Sequence, residues 1–343
     1  MARILNDGAE MRDTSFFTVT NSNISVTNSA PSAFVPGGYY YKTYYSFGND
    51  GGLKTVDTLY EVYLRARILF TSPISSEVLI FPIFLSGGNV QAALGVSPAS
   101  KFSFIRGSTL VEESSILAMD DRWYLIEIYY KAHNTTGSFV TYIDGNLCIN
   151  FTGDTEQYTG TGFNQLMYNA RQADVGNLCI DDVAMNDTTG TVDNSWCGEG
   201  HITMIYPSGS GTINNFLNSG SVSGSANYLY VSDFPSDGNT SYVYCSGSNV
   251  GFKDQYAMSN FNGTGKIITR IWAESTIKKT TSGSGTIKIG YLPNGGTSQL
   301  SGSIPIFLDY TRIVGTSASA NPLTGVEWTE EDINDLEYVS EIS

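Results

Sequence analysis

The chain has 343 residues, enough for about two domains that can each bury a core without disulfide or metal staples. Hydrophobic residues make up 41% and charged residues only 15%, while 36 Gly, 22 Tyr and 17 Phe give the composition of a many-turned all-β protein rather than a helical bundle. The net charge of −15 disfavours a nucleic-acid partner, and the lack of an apolar run of about 18 residues argues against membrane insertion.

In chain order, residues 1–50 read as an N-terminal arm followed by a first strand region. That region carries Tyr39, Tyr40, Tyr41, Tyr44 and Tyr45. Three uses for these rings stay open: the core of the first strand, a protein interface, or stacking on sugars. Residues 51–200 read as one domain, with strands expected at 59–70, 78–85, 91–96, 102–106, 123–131, 138–143, 147–151 and 178–185. Within 123–131, Tyr124, Ile126, Ile128 and Tyr130 share one face, and Leu125, Glu127 and Tyr129 share the other. Asp144-Gly145 is a hairpin turn pair. Strands joined in this way predict a two-sheet sandwich of jelly-roll type.

A boundary is expected around Asp187–Gly190 and Asn194–Gly198. Residues 201–343 then read as a second, smaller β-rich domain with strands at 201–206, 241–245, 266–273, 286–291 and 304–314. The Gly/Ser/Asn-rich stretch 208–225 reads as a loop. A short helix follows Thr329, which is its N-cap. Asp332 completes a capping box, and Trp328 with Ile333 forms a hydrophobic staple.

The opening residues lack the apolar stretch of a secretory signal, so the four cysteines are expected as free thiols. With no Cys-x-x-Cys pair and only His133 and His201, a zinc cluster has little support. No Gly-x-Ser-x-Gly elbow or phosphate loop occurs. Glu61 and Glu127 stand alone on their strands, and neighbouring Asp181 and Asp182 are expected on opposite faces of theirs, so no carboxylate dyad and no catalytic residue is assigned. Asp181, Asp182, Asp187 and Asp193 are calcium candidates, set against the simpler reading that they cap turns; otherwise no cofactor is expected.

The segments Trp123–Lys131, Val140–Asn146 and Ile180–Gly190 together resemble the laminin G-like (concanavalin A-like) jelly roll, in the versions found in virion proteins of tailed bacteriophages. Asp237–Val243 and Asn321–Glu337 extend the resemblance toward the C-terminus. It implies a non-enzymatic virion structural protein, either a capsid decoration or a tail-associated or fibre component. Such a protein would assemble in the bacterial cytoplasm, contact other virion proteins and form homo-oligomers. The alternative is a carbohydrate-binding module that recognises a host surface glycan. No calcium-ligand set carries over residue by residue.

Overall fold

The computed structural model describes residues 3–18, 24–28, 39–44, 51–71, 78–169, 177–220, 224 and 226–343. It is all-β but for short helical turns, and it divides into two compact units, Met1–Thr203 and Met204–Ser343.

The first unit runs β1 (Arg3–Asp7), β2 (Ile24–Thr27), β3 (Tyr40–Tyr44), β4 (Gly52–Leu59), β5 (Glu61–Phe70), β6 (Val78–Ser86) and β7 (Asn89–Val96). It continues with β8 (Lys101–Arg106), β9 (Thr109–Leu117), β10 (Tyr124–Lys131), β11 (Gly137–Ile143), β12 (Asn146–Gly153), β13 (Phe163–Tyr168) and β14 (Asn177–Asp187). One sheet has eight strands in the order β12-β11-β10-β5-β14-β3-β2, with β1 also paired to β14; the other has six, β4-β13-β6-β7-β8-β9. This is the jelly-roll sandwich expected from the alternation.

The inward face of β5 contributes Val62, Leu64, Ala66, Ile68 and Phe70, all buried. Aromatic rings bridge the sheets: Phe84 stacks on Tyr130 at 4.8 Å, and Phe104 on Phe139 at 4.2 Å. Asp144 and Gly145 have φ of 50° and 75°, the left-handed pair that closes a tight β11–β12 hairpin. Strands β4 and β9, not expected from the sequence, form the two edges of the six-stranded sheet. Many of their residues are exposed, so they carry little hydrophobic alternation. Arg3–Asp7, within the expected arm, pairs antiparallel with β14.

The second unit contains β15 (Pro207–Asn214), β16 (Leu217–Asn218), β17 (Val243–Tyr244), β18 (Lys253–Met258), β19 (Ile271–Ile277) and β20 (Thr286–Leu292). After these come β21 (Gln299–Leu300), β22 (Ile304–Pro305), β23 (Thr311–Ala318), α1 (Glu330–Asn334) and β24 (Glu337–Ile342). Its main sheet is ordered β15-β18-β24-β20-β21, with β22 also on β20. The expected strand at 201–206 is irregular, and the expected loop at 208–225 instead opens with β15. The reason is close approach: a Cβ at Gly211 would lie 2.5 Å from the Gln255 backbone, so a glycine lets β15 lie against β18. The helix α1 has its capping box, with Thr329 and Asp332 exchanging side-chain and backbone hydrogen bonds. Trp328 and Ile333 are buried in one cluster.

Candidate functional site

Alternation along β5 turns Glu61, Tyr63, Arg65 and Arg67 away from the sandwich core. The antiparallel register sets Tyr129 opposite Tyr63 and Glu127 opposite Arg65, and β11 adds Tyr142 opposite Glu127. A row of aromatic and charged side chains therefore crosses the outer face of the eight-stranded sheet. The chain leaving β14 returns across this face. Its Trp196 packs against Tyr142 at 5.2 Å and Tyr63 at 5.3 Å, both edge to face, and more loosely against Tyr129 at 6.4 Å. Tyr63 and Tyr129 stack at 4.8 Å. Trp196 remains 38% exposed.

Polar groups frame the rings. The Tyr129 hydroxyl donates to Glu61 Oε1 at 2.5 Å, and burial followed by that carboxylate pushes the Tyr129 phenol well up from its ordinary value. The Gly198 amide donates to Glu127 Oε1 at 3.1 Å. Arg65, only 5% exposed, donates to the Asp182 carbonyl and the Gly198 carbonyl. A Cβ at Gly200 would run into its guanidinium.

Further along the same returning segment, a second cluster forms at a bulge in β14. The β5 register passes from Asp181 opposite Arg67 to Ala184 opposite Arg65, so β14 holds one more residue than its partner over this span. Asp182 has φ of 53°, a left-handed conformation that Asp tolerates better than most residues. The bulge breaks the alternation on which the opposite-faces expectation rested. Ligand atoms of Asp181, Asp182 and His201 all lie within 4.8 Å of one another. Asp182 is fully buried; it accepts from the Ile202 amide at 2.7 Å, pairs with His201 Nδ1 at 3.0 Å, and faces Arg67 Nε at 3.3 Å. Its own amide donates to Asp181 Oδ1 at 2.7 Å.

The electrostatics follow from burial and crowding. Burial, then the Asp182 charge, hold the Asp181 carboxyl well above the usual range. Burial, with the Asp182 charge adding to it, pushes Glu10 up to about 6, although the Tyr39 amide and His201 pull the other way. The hydrogen bond to Asp182 raises His201.

The remaining candidates separate. Asp187 accepts from both the amide and the hydroxyl of Thr189, a turn cap of the simpler kind. Asp193 pairs with Arg3 at 3.7 Å. Neither joins the Asp181–Asp182 cluster. Tyr41 is fully buried against Phe16, Phe17 and Tyr168. Tyr40, 4% exposed, packs on Trp123 beside Leu69 and Cys179. Tyr39 is half-buried, with the Arg12 guanidinium 4.4 Å above its ring. The Tyr44 side chain and all of Tyr45 lie outside the described residues. Trp196, by contrast, lay in a stretch that the sequence marked only as a boundary, and His201 opened the strand expected at 201–206.

No family model matches the chain, and no curated protein matches it. Among solved structures, an alginate lyase is similar at a TM-score of 0.37 and 12% identity, over 54% of this chain and 93% of that one. A Trypanosoma rangeli sialidase in complex with 2,3-difluorosialic acid is similar at 0.35 and 13%, over 50% of this chain and 30% of that one. A mutant of the same sialidase displaying trans-sialidase activity is similar at 0.34 and 12%, again over 50% and 30%. The expectation of a virion structural protein working through protein contacts is corrected here. The similar structures are an alginate lyase and a sialidase, and Tyr40 and Tyr41, for which core, interface and sugar-stacking roles all stood open, are core residues.

Proposed function

We propose that the first unit is a carbohydrate-binding module whose glycan docks on Trp196. The observation that carries this reading is the partly exposed Trp196, its ring braced by Tyr63 and Tyr142 with Glu61 and Glu127 nearby on the same sheet face. A sugar ring presents an apolar face to an aromatic plate, and its rim of hydroxyls needs acceptors beside that plate. The net charge of −15 favours a neutral glycan over a polyanionic one. Both carboxylates already accept hydrogen bonds within the fold, which suits binding without cleavage. The resemblance of the sequence to phage virion proteins would make the glycan a host-surface one.

The test is tryptophan fluorescence and calorimetric titration with neutral oligosaccharides, alongside uronate and sialylated ones. A neutral oligosaccharide should bind; Trp196→Ala should weaken that binding by about 30-fold or more, and Trp196→Phe should retain most of it. Preference for the anionic sugars, unchanged affinity in Trp196→Ala, or shortening of the oligosaccharide during incubation would each overturn the proposal.

A further inference from the structure

We propose that Asp181, Asp182 and His201 form a binding site for one divalent transition-metal ion of the zinc type. Two carboxylates and an imidazole converge within 4.8 Å, the donor number of a three-ligand site with one position left open. The imidazole separates this set from a calcium loop, which is built from oxygens, and directs it toward zinc-like ions. The convergence is a product of the bulge, since a regular strand would send the two aspartates to opposite faces.

A second observation points into the cluster. Asp181 is 8% exposed, and among the described residues its carboxylate meets no donor or cation other than the adjacent Asp182 amide. A buried carboxylate with so little compensation is costly, and an ion bridging it to Asp182 and His201 supplies what the fold leaves out. Asp182 is already aimed by the Ile202 amide and Arg67, the kind of outer support that orients metal ligands. The neighbours Asp187 and Asp193 are spent on a turn cap and on Arg3, so the site draws on two of the four aspartates singled out from the sequence. The inference does not rest on the glycan reading.

The experiment uses the full chain, stripped with a chelator, dialysed against zinc chloride at near-neutral pH without any sugar, and followed by elemental analysis and calorimetry. One zinc per chain is expected. Asp181→Asn and His201→Ala should each weaken it by about 10-fold at least, with unchanged circular dichroism, while His133→Ala binds as the parent does. His133 serves as the control because its Nδ1 accepts the Thr135 and Thr136 amides in a turn. Sub-stoichiometric zinc, equal affinity in both site variants, loss in His133→Ala, or displacement of zinc by equimolar calcium would overturn the assignment. Because two variants probe the site from separate segments, failure of one to fold leaves the other to decide.

Discussion

The two faces of the eight-stranded sheet follow opposite rules. On the inner face, β5 and β10 present Leu64, Ala66, Ile126 and Ile128, and their only task is to exclude water against the facing sheet. On the outer face the same strands present Tyr63, Arg65, Arg67, Glu127 and Tyr129, covered by the segment that returns from β14. The inner face is specified by strand period alone. The outer face depends on where a segment without regular structure lies, so it can be rebuilt without changing the fold. This separation is how one sandwich architecture comes to host unrelated sites.

The largest effect that separates the faces is expected from Phe139→Ala. Its ring is fully buried and lies nearly parallel to Phe104 across the sandwich. Truncation leaves a cavity in close-packed surroundings and should cost about 3–5 kcal/mol in urea unfolding. On the outer face, Gly200→Ala should cost about 1–3 kcal/mol, because the new methyl displaces the buried Arg65 guanidinium from the Asp182 and Gly198 carbonyls. It should also disturb zinc binding, which Phe139→Ala should not, provided the latter is assayed where it is still folded. Equal costs for the two changes would erase the proposed distinction between a packed face and a draped one.

The inner face was legible in the sequence for a physical reason: 123–131 sets Tyr124, Ile126, Ile128 and Tyr130 on one face, and it is largely apolar on both, as a central strand covered on each side must be. The helix cap at Thr329 was equally legible, since its partners lie within four residues. The outer site was not. Placing Asp181 and Asp182 on opposite faces assumes a regular strand, and nothing local distinguishes an Asp that takes a left-handed bulge from one that does not. Trp196 reaches the sheet through a stretch read only as a boundary, and His201 was read as the start of a strand at 201–206 that is irregular in the fold. For the tyrosines the difficulty was different. Both faces of β3 are covered, Tyr41 by the main core and Tyr40 by Trp123, so of the three uses left open for these rings the core takes both, a choice that depends on strands far away in the chain.

The smallest effect is a pH dependence, and it too belongs to the outer face. Glu10 titrates near 6 in the fold against 4.5 ordinarily, so the folded chain holds this proton more tightly than the unfolded one. The associated stability is present in full below about 4.5 and is lost as pH rises through 6. Allowing for the partial exposure of Glu10, the loss is on the order of 1 kcal/mol. Unfolding measured at several pH values across this window, with a chelator present so that only protons move, should show the decline in the parent and a shallower one in Glu10→Gln. Some slope should survive in the variant at higher pH: His201 is raised by Asp182, so its contribution has the same sign and fades only above its ordinary 6.5. Identical declines in parent and variant would mean that Glu10 is solvated rather than buried beside Asp182. In that case the crowding of charge at the β14 bulge would extend no further than Asp181, Asp182 and His201 themselves.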